Sequence, residues 1–452
     1  MENAIDTGTT AWLLVSASFV LLMTPGLALF YGGMTRSKSV LNMMMMSYGA
    51  MGVVGVIYVL WGWSMSYSSD SILGIFGNPF THFGLNDSIT DAAGEYLVAD
   101  GLPTIVDVGF QVTFAIITVA LISGAIADRA KFGTWLTFTA LWVTLAYFPM
   151  AHMVWGGGLL SDEGPFASIA DPIDFAGGTV VHINAGVAAL VLALVIGVRK
   201  GFGKSPMRPH NLPLVMTGAG ILWFGWFGFN AGSAYAADGG AGLAWVNTTT
   251  ATAAAMLGWL LVERLRDGHA TSLGAASGIV AGLVAVTPAA GDVSPVGAIF
   301  LGAIAGALSA MAVGLKYRFG YDDSLDVVGV HLVAGLWGTV ALGFLATGSG
   351  LFYGGGLNQL WGQILIALVA VIFSAVVTLL IALPLQAIMG WRIDEDDEVA
   401  GIDQRVHAES AYDFTGGAGR LVGVGVTGRE PLAPSPAREA GTTSPNDKAS
   451  RA

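Results

Sequence analysis

Long apolar stretches alternate with short polar connections over most of this chain. Runs near residues 10–31, 39–66, 105–127, 133–156, 176–198, 212–236, 241–263, 271–288, 295–315, 327–346 and 361–389 carry almost no charge. About 20 apolar residues carry a helix across roughly 30 Å of hydrocarbon, so these runs predict eleven transmembrane helices. The alternating apolar and polar positions of an outer-membrane barrel strand are absent, and a helix satisfies every backbone amide within its own segment. The fold class expected is therefore an all-α integral membrane protein.

Composition agrees with that reading. Of 452 residues, 54% are hydrophobic and 11% charged, whereas soluble domains hold about 25% charged residues. The 64 glycines suit close packing between spans. With no cysteine, disulfides, thiolate metal sites and cysteine nucleophiles are excluded. The first ten residues carry Glu2 and Asp6 and no basic residue, unlike a cleaved signal peptide, so the first run is expected to belong to the mature protein.

Charge then orients the chain. Arg36 and Lys38 follow the first run, Arg129 and Lys131 the third, and Arg199, Lys200, Lys204 and Arg208 the fifth. Arg264 and Arg266 follow the seventh, Lys316 and Arg318 the ninth, and every remaining basic residue lies after the eleventh. Even-numbered connections have none, including the long segment 68–103. Basic loops stay inside, which predicts an outer N-terminus and an inner C-terminus. The net charge is −12. Part of the acid lies on the outer side, at Asp70, Asp87, Asp91, Glu95, Asp100, Asp162 and Glu163. These groups either enrich cations near the surface or only solubilise loops. Residues 1–390 form the expected transmembrane domain and 391–414 a cytoplasmic segment. The Gly-, Pro-, Ser- and Thr-rich stretch 415–452 reads as a disordered tail.

Two runs share a spacing. Asp174 precedes His182 by eight residues in "DFAGGTVVHINAG", and Asp323 precedes His331 by eight in "DSLDVVGVHLVAG". One run starts outside and the other inside. Two five-helix units in inverted orientation, with the eleventh helix left over, are therefore expected, as in transporters whose sites lie between repeats. At about 1.5 Å per residue, each histidine would sit roughly 9–12 Å deep, near the midplane of a core about 30 Å thick.

With "TPGLALFYGG" in the first run, "WFGFNAGSA" in the sixth and "DDSLDVVGVH" entering the tenth, the two histidine segments closely resemble the ammonium transporter family. The likeness is to the bacterial side of the Amt/Mep/Rh superfamily and covers about residues 8–414. It implies an eleven-helix protomer in the cell membrane and a homotrimer with one pore per subunit. The implied cargo is ammonium or ammonia, with methylammonium as an alternative, and no cofactor. It also implies that a PII-type signalling protein engages the cytoplasmic face through "GIDQRVHAESAY".

An ionisable residue inside a span is by default a functional candidate. The resemblance assigns His182 and His331 to a histidine pair lining the pore. Imidazoles can each donate at one nitrogen and accept at the other, and a neutral, hydrogen-bonded pair is the expected resting state. The plain alternative is two separate interhelical hydrogen bonds. Phe110, Phe114, Trp155 and Ser233 match an outer recruitment site for the cation, where aromatic faces attract it. From sequence alone Trp155 is equally an interfacial belt residue. Phe114 and Phe229 match stacked gating rings, and Thr287 a pore-side hydroxyl. Asp174 matches an aspartate needed for transport, and two readings stand: a charge felt by the cation, or a helix cap. Asp323 reads as the matching cap at the inner end, and His152 as a packed polar group.

The expected function is capture of NH4+ outside, deprotonation, and passage of NH3 along the histidines, with net charge movement. K+ and Na+ cannot shed a proton to become neutral, so an apolar bore rejects them. An ammonium sensor with the same fold is one rival. A membrane metalloenzyme using His182, His331 and Asp174 is another, against which stand the missing metal-binding spacings and the lack of cysteine.

Overall fold

The computed structural model describes residues 4–412; the expected tail 415–452 lies outside them. Among the described residues, ten helices are long and apolar enough to cross a membrane. They are α1 (Thr7–Met34), α2 (Val40–Tyr67), α3 (Thr104–Ile126), α4 (Phe132–Trp155), α5 (Gly178–Ile196) and α6 (Leu212–Ala231), then α8 (Ser272–Ala289), α9 (Pro295–Phe319), α10 (Val328–Leu345) and α11 (Asn358–Ile388). The run 241–263 forms α7 (Gly239–Asp267), which is as long but more polar. Its polar groups are used internally. Asn247 Nδ2 donates to the carbonyls of Ala290 and Val293, each at 2.8 Å. The Thr248 hydroxyl bonds back to Ala244 O at 2.7 Å.

Side chains fix several helix starts by accepting otherwise orphaned amides. Asp6 caps α1, Asn211 α6, Asp238 α7, Thr271 α8 and Ser294 α9. Glycines set the close crossings. A Cβ on Gly26 would meet Ile221 Cγ2 at 2.7 Å and one on Gly33 would meet Val215 N at 2.8 Å, which lets α1 lie against α6. α7 packs equally tightly on α9, where Gly302 and Gly306 face the backbone of Ala251 and Ala255.

The segment between α2 and α3 holds two short antiparallel pairs, Ser71–Ile72 with Phe76–Gly77 and Val98–Ala99 with Leu102–Pro103. At the opposite, basic end, Arg199 pairs with Asp322 at 2.8 Å and with Asp128 at 3.2 Å. Arg129 donates to the Asp322 carbonyl at 2.7 Å. Burial and then Asp322 act on Arg129 in opposite senses and leave it lowered to about 10, still charged at neutral pH. The stretch after α11 folds back on this end. Glu398 accepts from Lys200 N at 2.6 Å and from Arg392 at 2.5 Å. Asp403 accepts the Leu41 and Asn42 amides at 3.0 and 2.8 Å, and so caps α2 from far along the chain.

Candidate functional site

α5 and α10 start alike. Asp174 accepts from the amides of Gly178 and Thr179, four and five residues on, and Asp323 accepts from those of Val327 and Val328 at the same offsets. Eight residues after each aspartate comes a histidine, and both histidines fall in wide π-turns, Gly178–Ile183 and Val328–Leu332. Twelve residues after each aspartate comes a glycine. A Cβ on Gly186 would meet Leu332 N at 2.6 Å, and one on Gly335 would meet His182 Cβ at 3.0 Å. Each helix thus presents a bare patch of backbone to the other one turn below its histidine, so the two rings can meet.

They do meet. The Nδ1 atoms lie 3.4 Å apart and the ring centroids 5.5 Å, with both residues almost wholly buried. One Nδ1 must donate and the other accept. The Nε2 of one neutral ring is then a bare acceptor, and that of the other carries the proton. His182 Nε2 is buried and has no partner among the described residues.

An unbroken column of rings leads from this pair to a vestibule of about 620 Å³. Phe229 stacks on His182 at 6.2 Å, Phe114 on Phe229 at 4.2 Å, and Trp155 stands edge-on to Phe114 at 6.2 Å. Trp155, Phe114, Ser233 and Asp174 line the vestibule. Phe110 and Phe229 do not; both rings are buried behind Phe114. The Ser233 hydroxyl gives its proton to Phe229 O at 2.8 Å, which leaves its lone pairs to accept.

Asp174 is committed to the chain itself. It takes Gly177 N at 3.1 Å, Thr179 N at 2.9 Å, Val180 N at 3.3 Å, and closer bonds from Gly178 N and the Thr179 hydroxyl. Gly177, at φ +115°, allows the turn that gathers these amides. Trp155 Nε1 donates to the Asp174 carbonyl at 2.9 Å, so the same loop holds the indole over the vestibule. Thr287 stands one layer away from the histidines. Its hydroxyl accepts from Trp226 Nε1 at 2.9 Å, and the Trp226 ring stacks on His182 at 5.5 Å.

The other expected polar groups lie elsewhere. His152 is packed between the Ser71 hydroxyl at 2.7 Å and Ser66 O at 3.1 Å. His407 contacts Asn42 Oδ1 at 3.0 Å and His210 the Tyr412 hydroxyl at 2.8 Å, both on the basic end. Sequence reasoning did not single out Trp226, nor Asp107, Gln111 and Tyr235 on the vestibule wall. Asp107 carried a signal, an acid near the start of an apolar run four residues before Gln111 on the same helix face. Trp226 opens the motif "WFGFNAGSA", but nothing in its spacing set its role apart from the other tryptophans of the spans.

The chain matches the model of the Ammonium Transporter Family over residues 11–412. It is 55% identical to an ammonium transporter of Mycobacterium tuberculosis, covering 93% of this chain and 94% of that one. An ammonium transporter of Aquifex aeolicus is 48% identical over 91% of this chain and 95% of its own length. Among solved structures, a sensor Amt protein superposes with a TM-score of 0.80 at 29% identity, over 88% of this chain and 97% of that one. Mep2 of Saccharomyces cerevisiae gives 0.77 at 32% identity, over 86% and 91%.

Proposed function

Because this chain belongs to the ammonium transporter family, a family of multi-pass membrane transporters and not of enzymes, we propose how it moves its substrate. Ammonium is captured between Trp155, Phe114 and the Ser233 hydroxyl, with Phe110 backing the Phe114 ring. The Trp155 and Phe114 faces replace part of the lost hydration by cation–π attraction, on the order of 1–2 kcal/mol when desolvated. Asp174 serves as the cap that sets α5 and Trp155, because its oxygens are already occupied by chain donors.

The Phe114/Phe229 stack is a gate that must part for passage, and beyond it the substrate travels as NH3. Ammonia then accepts from one Nε2 and donates to the other, since the Nδ1 contact forces the two rings into opposite roles. When the acceptor Nε2 takes the released proton, the shared proton crosses the Nδ1 contact and the second ring gives up its own Nε2 proton; this relay reverses the polarity of both neutral rings, carries the proton through and makes transport electrogenic. The single observation that carries this reading is the unpartnered Nε2 of His182, buried beside a second imidazole at the foot of the ring column. A buried polar atom left unpaired costs about 1–3 kcal/mol, and a passing ammonia supplies the partner. Thr287 acts through Trp226, whose ring it steadies against His182.

The proposal extends to the whole chain. α7 crosses with the other ten helices, giving two inverted five-helix units plus α11 and placing the basic end inside. Residues 1–390 are the transport domain, which works as a homotrimer. The segment 391–414, anchored as far as residue 412 through Glu398 and Asp403, is where a PII-type signalling protein acts. Currents recorded from proteoliposomes on a solid-supported membrane test the core of this reading. Ammonium should give a saturable current and K+ none; equal currents for both ions would overturn it.

A further inference from the structure

One wall of the vestibule carries a polar relay separate from the ring column. Gln111 and Asp107 lie four residues apart on α3, and Tyr235 follows α6 just beyond Ser233. Gln111 Nε2 donates to the Tyr235 oxygen at 2.6 Å, and the Tyr235 hydroxyl donates to Asp107 Oδ1 at 2.7 Å. All three residues line the vestibule. The direction of the relay is fixed, because a carboxylate can only accept, so the phenol must donate to it and accept from the amide. That fixes the Gln111 amide as well. Gln111 is 7% exposed, and its Oε1 is buried without a partner among the described residues. No second hydrogen bond among them reaches the Asp107 carboxylate.

One Gln111 N–H and the Tyr235 O–H are thus turned on the relay itself, and an amide oxygen and a carboxylate remain as acceptors. Among the described residues, no Lys, Arg or His lines this vestibule. Of its other carboxylates, Asp174 is spent on the α5 cap, while Asp162 and Asp171 are exposed and screened by solvent. Asp107 is half-buried. At a separation of about 4 Å a unit charge pair is worth about 1 kcal/mol in water and about 4 kcal/mol at the effective dielectric near a protein surface. Asp107 is therefore the carboxylate with the strongest hold on a cation.

We propose that Asp107, Gln111 and Tyr235 form a second cation position on the vestibule wall, for a small ammonium group such as ammonium or methylammonium, ahead of the ring column. The Asp107 carboxylate pairs with the charge and Gln111 Oε1 accepts an N–H. Tyr235 is a positioning residue that holds both, and its ring also packs edge-on against Phe110 at 5.8 Å. This inference rests on the transport reading above and names a residue set for its first step.

Ammonium currents across a concentration series test it, with Asp107→Asn, Tyr235→Phe and, as a control for diffuse charge, Asp162→Asn. Asp107→Asn should raise the half-saturating concentration about fivefold, the ratio for an interaction of about 1 kcal/mol, and leave the saturating current within about twofold. Tyr235→Phe keeps the ring against Phe110 and should shift half-saturation in the same direction. Asp162→Asn should move it less than about twofold. Equal shifts for Asp107→Asn and Asp162→Asn would overturn the position in favour of diffuse charge. An unchanged half-saturation in Tyr235→Phe would overturn it even if Asp107→Asn failed to fold. A wild-type current that depends on His182 while Asp107→Asn behaves as wild type would sink the relay and spare the transport reading. A wild type without ammonium current would sink both.

Discussion

Trp155 gives its indole N–H to the Asp174 carbonyl and lines the vestibule, its ring perpendicular to that of Phe114. Its ring is therefore held in place by a bond that does not involve the cation. Trp155→Leu should raise the half-saturating concentration of ammonium about five- to thirtyfold, the range for a lost cation–π contact of 1–2 kcal/mol, with the protein still folded. An unchanged concentration dependence would remove Trp155 from the site. At this scale the histidines were legible, since an ionisable group inside an apolar run has few bland explanations and the spacing from Asp174 and Asp323 repeats. The two readings of Asp174 were not separable from sequence, because both put a carboxylate at a helix start; five donors on its oxygens favour the cap. Phe110 and Phe229 were legible as neighbours of the site, but their burial behind Phe114 depends on side-chain directions that spacing does not carry.

Helices α5 and α10 approach through Gly186 and Gly335, and the two glycines are not equally tight. A methyl on Gly186 would press on the Leu332 backbone at 2.6 and 2.7 Å, while one on Gly335 would meet the His182 Cβ at 3.0 Å. Gly186→Ala should therefore lower the melting temperature more than Gly335→Ala, within the 1–3 kcal/mol typical of overpacking. Thermal unfolding in detergent measures the order. The start of α10 also carries a proton signature. Burial pushes the Asp323 carboxyl up to about 6, opposed chiefly by the Lys316 ammonium. With the folded pKa above the ordinary Asp value, the folded protein holds more protons between about pH 4 and 6, so this group's contribution to stability falls as pH rises through that window. Asp323→Asn should flatten the pH dependence of the melting temperature there; an identical slope in both proteins would contradict the shift. Ten of the helices were legible because their runs are apolar and close to or above the length a bilayer requires. The run 241–263 was legible as a helix too, α7, but not the use of its polar groups: Asn247 donates to the carbonyls of Ala290 and Val293, partners that sequence does not name. The π-turns around both histidines were not legible, because a helical apolar run looks the same in sequence whether its turns are regular or wide.

Three of the basic residues that marked one end of the odd helices, Arg129, Arg199 and Lys316, are buried there in pairs with Asp322, Asp128 and Asp326. The charge pattern thus foretold which connections share an end, but not that acids from distant loops would neutralise them. The absence of cysteine makes the proposed orientation directly testable. Ala93→Cys, at an exposed position in the segment between α2 and α3, should react with a membrane-impermeant maleimide in intact cells, and Lys204→Cys, also exposed, only after the membrane is opened. The reverse pattern would invert the topology. The claim on which transport depends, however, is the imidazole pair at the foot of the ring column. Its most direct test is the ammonium current of His182→Ala and His331→Ala against a K+ control, on folded protein. The account predicts that each variant loses ammonium-selective current, by about tenfold or more for a desolvated hydrogen bond of 1.5–3 kcal/mol. Wild-type currents with wild-type selectivity in both variants would contradict it.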